Sequence, residues 1–443
     1  MLRILKPNFF MSTFTENANH QNSDFIGIKL ENVDNSFLPV KHLKKITKKN
    51  KKFFYPLALS SWGEEEYKSI IDQLQSGKLT MGDKVKEFEL EFAKMTGCKH
   101  AIMVNSGSSA NLLIIAALTL SENYDLNKGD EVIVPALGWS TSYSPLLQYG
   151  LKLRFVDINI NTLNIDENKI TKAITNKTKA IFGINVLGNP MNFGILEKIC
   201  NEHNLILIED NCESMGAKYL TKATGTFGIA ASHSFFFSHH IQTIEGGMIT
   251  TDQDDISDYA RCLRAHGWTR DLSNESDFRK IKINKFKEKY MFALPGYNLR
   301  PNELNAVTGL CQLKKFQSFM TTRKQNSINF KNLFSDESFC IIQESEHESS
   351  WLGFSIILNG PLTNKRSHLI YELEKAKIEY RPIITGNFLK NPVINYYDYS
   401  ISENLNNTET VDNSGLYVGN YHCPLDSQIS KLYEITKKLS KFY

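Results

Sequence analysis

The chain has 443 residues, of which 41% are hydrophobic and 22% are charged, and its formal net charge is +3. This composition is typical of a globular protein with more than one lobe, and the small net charge does not indicate a nucleic-acid partner. The most apolar run, 112–120, is about half the ~20 residues that a membrane-spanning helix needs, so it predicts a buried helix. The seven cysteines form no C-x-x-C pair, which favours free thiols in a reducing compartment and hence the cytoplasm.

The first 52 residues differ from the rest of the chain. They are polar and rich in asparagine, and they end in the basic run K-H-L-K-K-I-T-K-K-N-K-K. Such a run can bind nucleic acid or another anionic surface, but a solvated extension before the folded body is the commoner case. We therefore predict an N-terminal arm at 1–52, a large domain at 53–315 and a smaller C-terminal α+β domain at 316–443. A helix predicted from about Pro301 crosses the second boundary.

The middle of the chain alternates short apolar runs with polar stretches of helical length. This alternation predicts an α/β fold with a mixed, mostly parallel central sheet flanked by helices. In such open sheets, ligands bind at the carboxyl ends of the strands. The five predicted strands are E-V-I-V-P (131–135), L-R-F-V-D-I (153–158), A-I-F-G-I-N-V (180–186), L-I-L-I-E-D (205–210) and S-H-S-F-F-F (232–237).

The segment V-N-S-G-S-S-A-N-L-L-I-I-A-A-L (104–118) predicts a short strand, a Gly-Ser turn and an apolar helix. The turn offers backbone N–H groups and hydroxyls at the positive end of the helix dipole, which suits a phosphate. Simple helix capping is the alternative, and for this composition taken alone it is the commoner one.

Two further residues lie at predicted strand ends. Asp210 closes the strand 205–210, where a carboxylate can pair with a protonated ring nitrogen, cap a helix or join a salt bridge. Trp139, in P-A-L-G-W-S-T-S, can stack on a flat heteroaromatic ring or simply pack at the rim of the core. Together with the Gly-Ser turn, these residues favour a phosphorylated heteroaromatic ligand.

Five motifs, taken in order and spacing, resemble the DegT/DnrJ/EryC1/StrS sugar aminotransferase family from about residue 53 to the end. The resemblance implies a fold-type-I pyridoxal-phosphate-dependent transferase fold and a homodimer whose active sites lie at the subunit interface. The motifs are G-S-S-A (107–110), G-D-E-V-I-V-P (129–135), I-E-D-N-C-E-S-M-G-A (208–217), S-F-F-F-S-H-H followed by E-G-G (234–247) and G-Y-N-L-R-P-N-E-L-N-A (296–306).

The resemblance also implies which residues bind the cofactor. Asp210 would pair with the pyridine nitrogen, Trp139 would stack on the ring, and Glu213 would lie near the ring hydroxyl. The residues implied to hold the phosphate are Gly107, Ser108, Ser234 and, from the second subunit, Asn298.

The sequence departs from most of this family at His239. Counting back from E-G-G places this histidine where most members carry the lysine that binds the cofactor covalently. An imidazole cannot hold the cofactor in that way, but an unperturbed histidine, with a pKa near ~6.5, can exchange protons at neutral pH. The chain is therefore either a degenerate aminotransferase or a member of the dehydratase branch, which uses histidine.

Five stretches favour the nucleotide-sugar 3-dehydratases of the family. Their resemblance implies a lyase that removes the C3 hydroxyl of a nucleotide-linked 4-keto-6-deoxyhexose, with GDP-4-keto-6-deoxymannose favoured, in deoxysugar and O-antigen-type polysaccharide biosynthesis. The stretches are S-G-K-L-T-M-G (76–82), V-L-G-N-P (186–190), S-H-H-I-Q-T-I-E-G-G (238–247), L-R-A-H-G-W-T-R (263–270) and Y-R-P-I-I-T-G-N-F (380–388).

In this branch His239 would be the catalytic base. The cofactor would be pyridoxamine phosphate, held non-covalently, and L-glutamate would regenerate it from pyridoxal phosphate. A nucleotide-sugar aminotransferase and a non-catalytic protein of the same fold are the alternatives.

Some relatives in this branch carry an iron–sulfur cluster bound by cysteines shortly after the cofactor motifs. Here the stretch 266–280 contains no cysteine and Cys262 stands alone, so we expect neither an iron–sulfur cluster nor another metal. For the substrate, the candidates are His266, Arg270 and Arg381. A guanidinium suits the glutamate carboxylate or a nucleotide pyrophosphate, and a surface salt bridge is an equally common role.

Overall fold

The computed structural model describes residues 53–279 and 284–443. The predicted N-terminal arm, 1–52, lies outside the described residues. Among the helices that are described, none combines the length and the apolar character needed to cross a membrane. The thirteen described strands, numbered in chain order, are β1 His100–Val104, β2 Glu131–Pro135, β3 Lys152–Val156, β4 Thr178–Ile184, β5 Ile206–Asp210, β6 Lys218–Tyr219, β7 Lys222–Ala223, β8 Ala230–Ser234, β9 Gly247–Thr251, β10 Cys340–Ile342, β11 Gly353–Leu358, β12 Tyr399–Ile401 and β13 Gly415–Gly419.

An eight-stranded sheet in the order β1-β9-β8-β5-β4-β2-β3-β12 forms the centre of the fold. The strands from β8 to β12 in this order pair in parallel, whereas β9 is antiparallel to both of its neighbours. The predicted mixed, mostly parallel sheet is therefore confirmed. Parallel pairing brings the carboxyl ends of β2, β4, β5 and β8 to the same edge of the sheet.

The predicted strands differ from the structure at one place that matters for the site. The run predicted as a strand at 232–237 is a strand only to Ser234, which pairs with Gly247 at the start of β9. Beyond this pair the backbone N–H of Phe235 donates to the carbonyl of Gly246 and closes a loop. Residues 235–246, which include His239, form this loop.

Helices cover the sheet. The segment predicted as a buried helix at 112–120 is part of a helix that begins at Gly107, and it is buried because it is apolar around its whole circumference. The described α-helices are α1 Glu64–Gln75, α2 Asp83–Thr96, α3 Gly107–Leu120, α4 Ser140–Gln148, α5 Glu167–Ala173, α6 Phe193–His203, α7 Asp254–Arg264, α8 Lys285–Glu288, α9 Glu303–Phe334, α10 Arg366–Lys375, α11 Asn406–Ser414 and α12 Asp426–Phe442.

The C-terminal part has a sheet and a core of its own. Its sheet has the order β10-β11-β13 and is antiparallel throughout. The aromatic rings of Phe330 and Phe354 stack at 4.4 Å in the core beneath it. Helix α9 runs through the predicted boundary at 315, and β12 returns to the large sheet beside β3. The division at 315 therefore stays a prediction.

Glu209 fixes a turn below the carboxyl edge of the large sheet. Its buried carboxylate accepts hydrogen bonds from the backbone N–H groups of Gly225 (2.7 Å), Phe227 (2.6 Å) and Gly228 (2.7 Å). Burial raises the pKa of this carboxyl, and the three N–H donors act against that rise. The turn 225–228 leads directly into β8, so Glu209 determines where β8 begins.

We expect Glu209→Gln to lower the free energy of unfolding by about 1–3 kcal/mol, because the amide NH₂ would face a backbone N–H and leave it unpaired. Urea denaturation followed by circular dichroism measures this change. Glu202→Gln is the matched control, since Glu202 is exposed and its 3.9 Å ion pair with Lys198 lies on the helix surface. Equal stabilities of the two variants would contradict the role given to Glu209.

Candidate active site

The carboxylate of Asp210 lies at the carboxyl end of β5 and is buried. It accepts hydrogen bonds from the Asn111 amide (2.9 Å), the Ser142 hydroxyl (2.7 Å), the backbone N–H of Cys212 (3.1 Å) and the Ser232 hydroxyl (3.4 Å). All four donors are neutral, and no ion pair within the described residues includes this carboxylate. A buried anion without a cationic partner fits the protonated nitrogen of a ring as its counterion.

Of the two roles that the sequence left open for the turn at the start of α3, the structure shows helix capping. Ser106 caps the helix, because its hydroxyl accepts a hydrogen bond from the backbone N–H of Ser109. The residues that follow it, Gly107 and Ser108, remain at the positive end of the helix dipole, where an anion binds. The Ser108 hydroxyl lies 2.7 Å from the hydroxyl of Thr141.

Gly107 allows this turn to approach β8 closely. A Cβ at this position would lie 2.7 Å from the Cys212 sulfur and 2.7 Å from the Cβ of Ser234. The close approach brings Ser234, at the end of β8, beside the first turn of α3. Three of the four predicted phosphate ligands, Gly107, Ser108 and Ser234, are therefore grouped within one subunit.

Trp139 and Glu213 both lie between Ser108 and Ser234 in the chain. Trp139 directly precedes α4, the helix that carries Ser142, and 58% of its surface is exposed. Glu213 is half-buried and accepts a hydrogen bond from the backbone N–H of Leu187 at 2.9 Å. Burial, with a smaller effect of the Asp210 charge, raises the pKa of Glu213 to about 7. Glu213 can therefore donate or accept a hydrogen bond near neutral pH.

His239 lies in the loop between β8 and β9 and is half-buried. Its Nδ1 atom is buried, and no described residue provides it with a hydrogen-bond partner. Burial lowers the pKa of His239 to about 4, and the charge of Arg323 acts in the same direction, whereas the Ser234 backbone and the charge of Asp210 oppose the fall. The pKa of His239 therefore lies below the ~6.5 of an unperturbed histidine, and the ring is neutral at pH 7.

The remaining predicted residues lie apart from Asp210. Ala265 pairs with Asn298, and the His266 backbone N–H donates to the carbonyl of Tyr297, so the segments that carry His266 and Asn298 lie side by side. The Arg270 guanidinium lies 3.8 Å from the ring of Trp268 on the same segment. Among the described residues, none of these side chains contacts the Asp210 carboxylate.

Arg381 forms the surface ion pair that the sequence left as an alternative, with Glu379 at 2.8 Å. Its backbone pairs with that of Tyr417, a residue that the sequence did not reveal. Burial raises the pKa of Tyr417 well above its usual range, and the nearby charge of Glu213 adds to the rise. The backbone of Arg381 therefore pairs with a residue that is close enough to Glu213 to feel its charge.

Comparison with known proteins identifies the family. The model of the DegT/DnrJ/EryC1/StrS aminotransferase family matches residues 60–432. The chain belongs to this family. The family predicted from the five sequence motifs is confirmed.

Individual relatives are also similar over most of their length. The chain is 49% identical over 385 residues to a GDP-4-keto-6-deoxy-D-mannose 3-dehydratase of Escherichia coli O55:H7, covering 86% of this chain and 99% of the relative. A solved structure of the E. coli GDP-4-keto-6-deoxy-D-mannose-3-dehydratase with bound hydrated PLP is 48% identical, with a TM-score of 0.85 over 87% of this chain and 99% of that one. A second solved structure, of a GDP-4-keto-6-deoxymannose-3-dehydratase with a trapped PLP–glutamate geminal diamine, is 48% identical. Its TM-score is 0.84 over 86% of this chain and 100% of that one. These structures confirm the predicted fold.

We expect Gly107→Ala to destabilise the protein by about 1–3 kcal/mol, because the added methyl group would overlap the Cys212 sulfur and the Ser234 Cβ. Urea denaturation measures the loss. Gly63→Ala is the matched control, since a Cβ at Gly63 meets only flexible side-chain ends at 3.5 Å and beyond. If both alanine variants were equally stable, the close approach of α3 to β8 would not be a constraint.

Proposed function

We propose that this protein is a pyridoxal-phosphate-dependent nucleotide-sugar 3-dehydratase that removes the C3 hydroxyl of GDP-4-keto-6-deoxymannose. The observation that carries the proposal is a neutral histidine, His239, where most of the family has lysine. The other residues predicted to bind the cofactor are present together with this histidine. The chain is also 49% identical over 385 residues to a dehydratase named for that reaction. The product would enter deoxysugar and O-antigen-type polysaccharide biosynthesis.

The residues of the site fit the cofactor. Asp210, which lacks a cation, would take the protonated pyridine nitrogen, and Glu213 would lie near the ring hydroxyl. Gly107, Ser108 and Ser234 would hold the phosphate. When bound, the cofactor supplies an amine that joins the C4 ketone of the sugar and a conjugated ring that accepts electrons. Trp139, whose ring is largely exposed, would stack on the cofactor ring.

His239 would move the proton. Its imidazole is neutral at pH 7 and would accept a proton from the C4′ carbon of the bound cofactor. Burial makes the protonated ring a stronger acid than free histidine, so His239 would return the proton to the departing C3 hydroxyl, which leaves as water. Asp210 would hold its negative charge fixed beside the ring nitrogen throughout.

The absence of a lysine amine at position 239 determines the outcome. A lysine there would compete with the cofactor's own amine, whereas an imidazole does not form a covalent bond to the cofactor. The 3-deoxy product would then lose its nitrogen to water as ammonia. We propose L-glutamate as the donor that restores the amine, which is supported by the PLP–glutamate adduct in the related structure.

Assembly and location complete the proposal. We propose a homodimer in which the exposed Asn298 of one subunit reaches the phosphate in the other, with His266, Arg270 and Arg381 contacting the nucleotide sugar or glutamate. The exposed guanidinium of Arg270 over Trp268 is suited to an anionic group. We also propose a cytoplasmic location, supported by the seven cysteines, all of which are described and none of which forms a disulfide bond.

Incubation of the protein with pyridoxal phosphate, L-glutamate and GDP-4-keto-6-deoxymannose should release ammonia and a GDP-linked 3,6-dideoxy-4-keto sugar, detected by mass spectrometry. CDP-, UDP- and dTDP-linked analogues test the choice of nucleotide. An amino sugar as the main product would identify an aminotransferase. No turnover with any nucleotide sugar would identify a non-catalytic protein of this fold.

His239→Asn should lower the dehydration rate at least about 100-fold, because it removes the proton-transferring group. Binding of pyridoxal phosphate, followed by absorbance, should persist, since the Asp210 and Gly107 contacts are unchanged. His203→Asn is the control, because His203 lies exposed at the end of α6. Full activity of the His239 variant would contradict the assignment of the base.

A further inference from the structure

A buried guanidinium lies close to the histidine pair of the loop. Arg323, in α9, is 4% exposed, and its Nη1 atom donates to the backbone carbonyls of Trp351 (3.3 Å), Leu352 (3.3 Å) and Asn420 (2.5 Å). Within the described residues no carboxylate pairs with it, and its Nε atom is buried without a hydrogen-bond partner. A buried cation held only by carbonyls is costly, so its position calls for a reason beyond packing.

His240, the second histidine of the loop, is oriented by the same segment. Its Nε2 lies 3.1 Å from the carbonyl oxygen of Ser350. A carbonyl only accepts hydrogen bonds, so Nε2 carries the proton. Burial and the charge of Arg323 hold the pKa of His240 well below its usual range, so the ring is neutral. Its Nδ1 atom therefore carries a lone pair and can accept a hydrogen bond. No described residue is a partner for this Nδ1.

The segment 350–352 is hydrogen-bonded to the segment 187–188, which holds Glu213. Ser350 and Leu352 donate their backbone N–H groups to the carbonyls of Gly188 and Leu187, at 2.8 and 3.0 Å. The N–H of Leu187 in turn holds Glu213. Leu187 (φ 49°) and Trp351 (φ 47°) both adopt the left-handed conformation, which costs energy for residues other than glycine. The strained turns at Leu187 and Trp351 thus meet beside the backbone carbonyls that the Arg323 guanidinium contacts.

We propose that Arg323 is a positioning residue of the catalytic site: it fixes the 350–352 backbone on which His240 rests and brings a permanent positive charge up to His239. The inference rests on the proposed function, since it gives Arg323 a part in the proton transfer of that site. It also gives His240 the role of a support for His239.

The charges around the loop agree with this arrangement. The described charged groups that act on His239 are Asp210, which raises its pKa, and Arg323, which lowers it, while His240 is neutral. Arg323 itself stays charged at neutral pH, because burial lowers its pKa only to about 9. Arg323 therefore opposes protonation of His239 in the resting site and strengthens protonated His239 as an acid.

The test measures the pKa of His239 by NMR in the full-length protein with pyridoxal phosphate bound, labelled with ¹³C at histidine Cε1. His239→Asn assigns the signal. Arg323→Gln should raise the pKa of His239 by about one unit or more, since a buried charge has been removed, and Arg323→Lys, which keeps the charge, should restore it. His233 is the internal control, because burial alone lowers its pKa and its value should not move.

An unchanged pKa of His239 in folded Arg323→Gln would overturn the proposal, and so would a shift that Arg323→Lys fails to reverse. If the glutamine variant does not fold, the His240→Leu variant provides the test. Its kcat for dehydration should fall at least tenfold, with KM for the sugar unchanged. An unchanged kcat would overturn the proposal. The NMR result needs no turnover, so loss of the proposed function in the wild-type protein is distinguishable from failure of this inference.

Discussion

The buried carboxylate of Asp210 is the interaction on which the rest of the site depends. Four neutral donors from α3, α4, β8 and the chain after β5 hold it in place, and no described cation balances its charge. The large sheet makes this possible, because parallel pairing brings the ends of β5 and β8 and the start of α3 to one edge. The charge that Asp210 retains is what fits a protonated ring nitrogen, and it also acts on His239 and Glu213.

The loop between β8 and β9 carries the residue on which the proposed reaction depends. Because β8 ends at Ser234 and β9 returns antiparallel beside it, the intervening residues leave the sheet next to the residues proposed to hold the phosphate. His239, which the sequence motifs place at the position of the family's lysine, is half-buried in this loop and neutral. A neutral imidazole moves a proton without binding the cofactor, and this difference separates removal of a hydroxyl from transfer of an amine.

Sequence patterns predicted the features that are local in the chain. The strand 131–135, the turn at Gly107 and the strand ending at Asp210 each have a short signature of apolar runs and small residues. Asn111, Ser142 and Arg323 had no such signature, because each acts through packing between elements far apart in sequence. The lowered pKa of His239 was equally hidden, since burial of a loop is a property of the whole fold.

The central claim, that histidine replaces covalent attachment of the cofactor, is tested most directly by reduction with borohydride and mass mapping of the peptide that contains residue 239. Wild-type protein loaded with pyridoxal phosphate should show no pyridoxyl group on this peptide or, in stoichiometric yield, on any lysine. His239→Lys should show one pyridoxyl group on the peptide, because the new amine reaches the cofactor aldehyde. A stoichiometric adduct on a lysine of the wild-type protein would contradict the account.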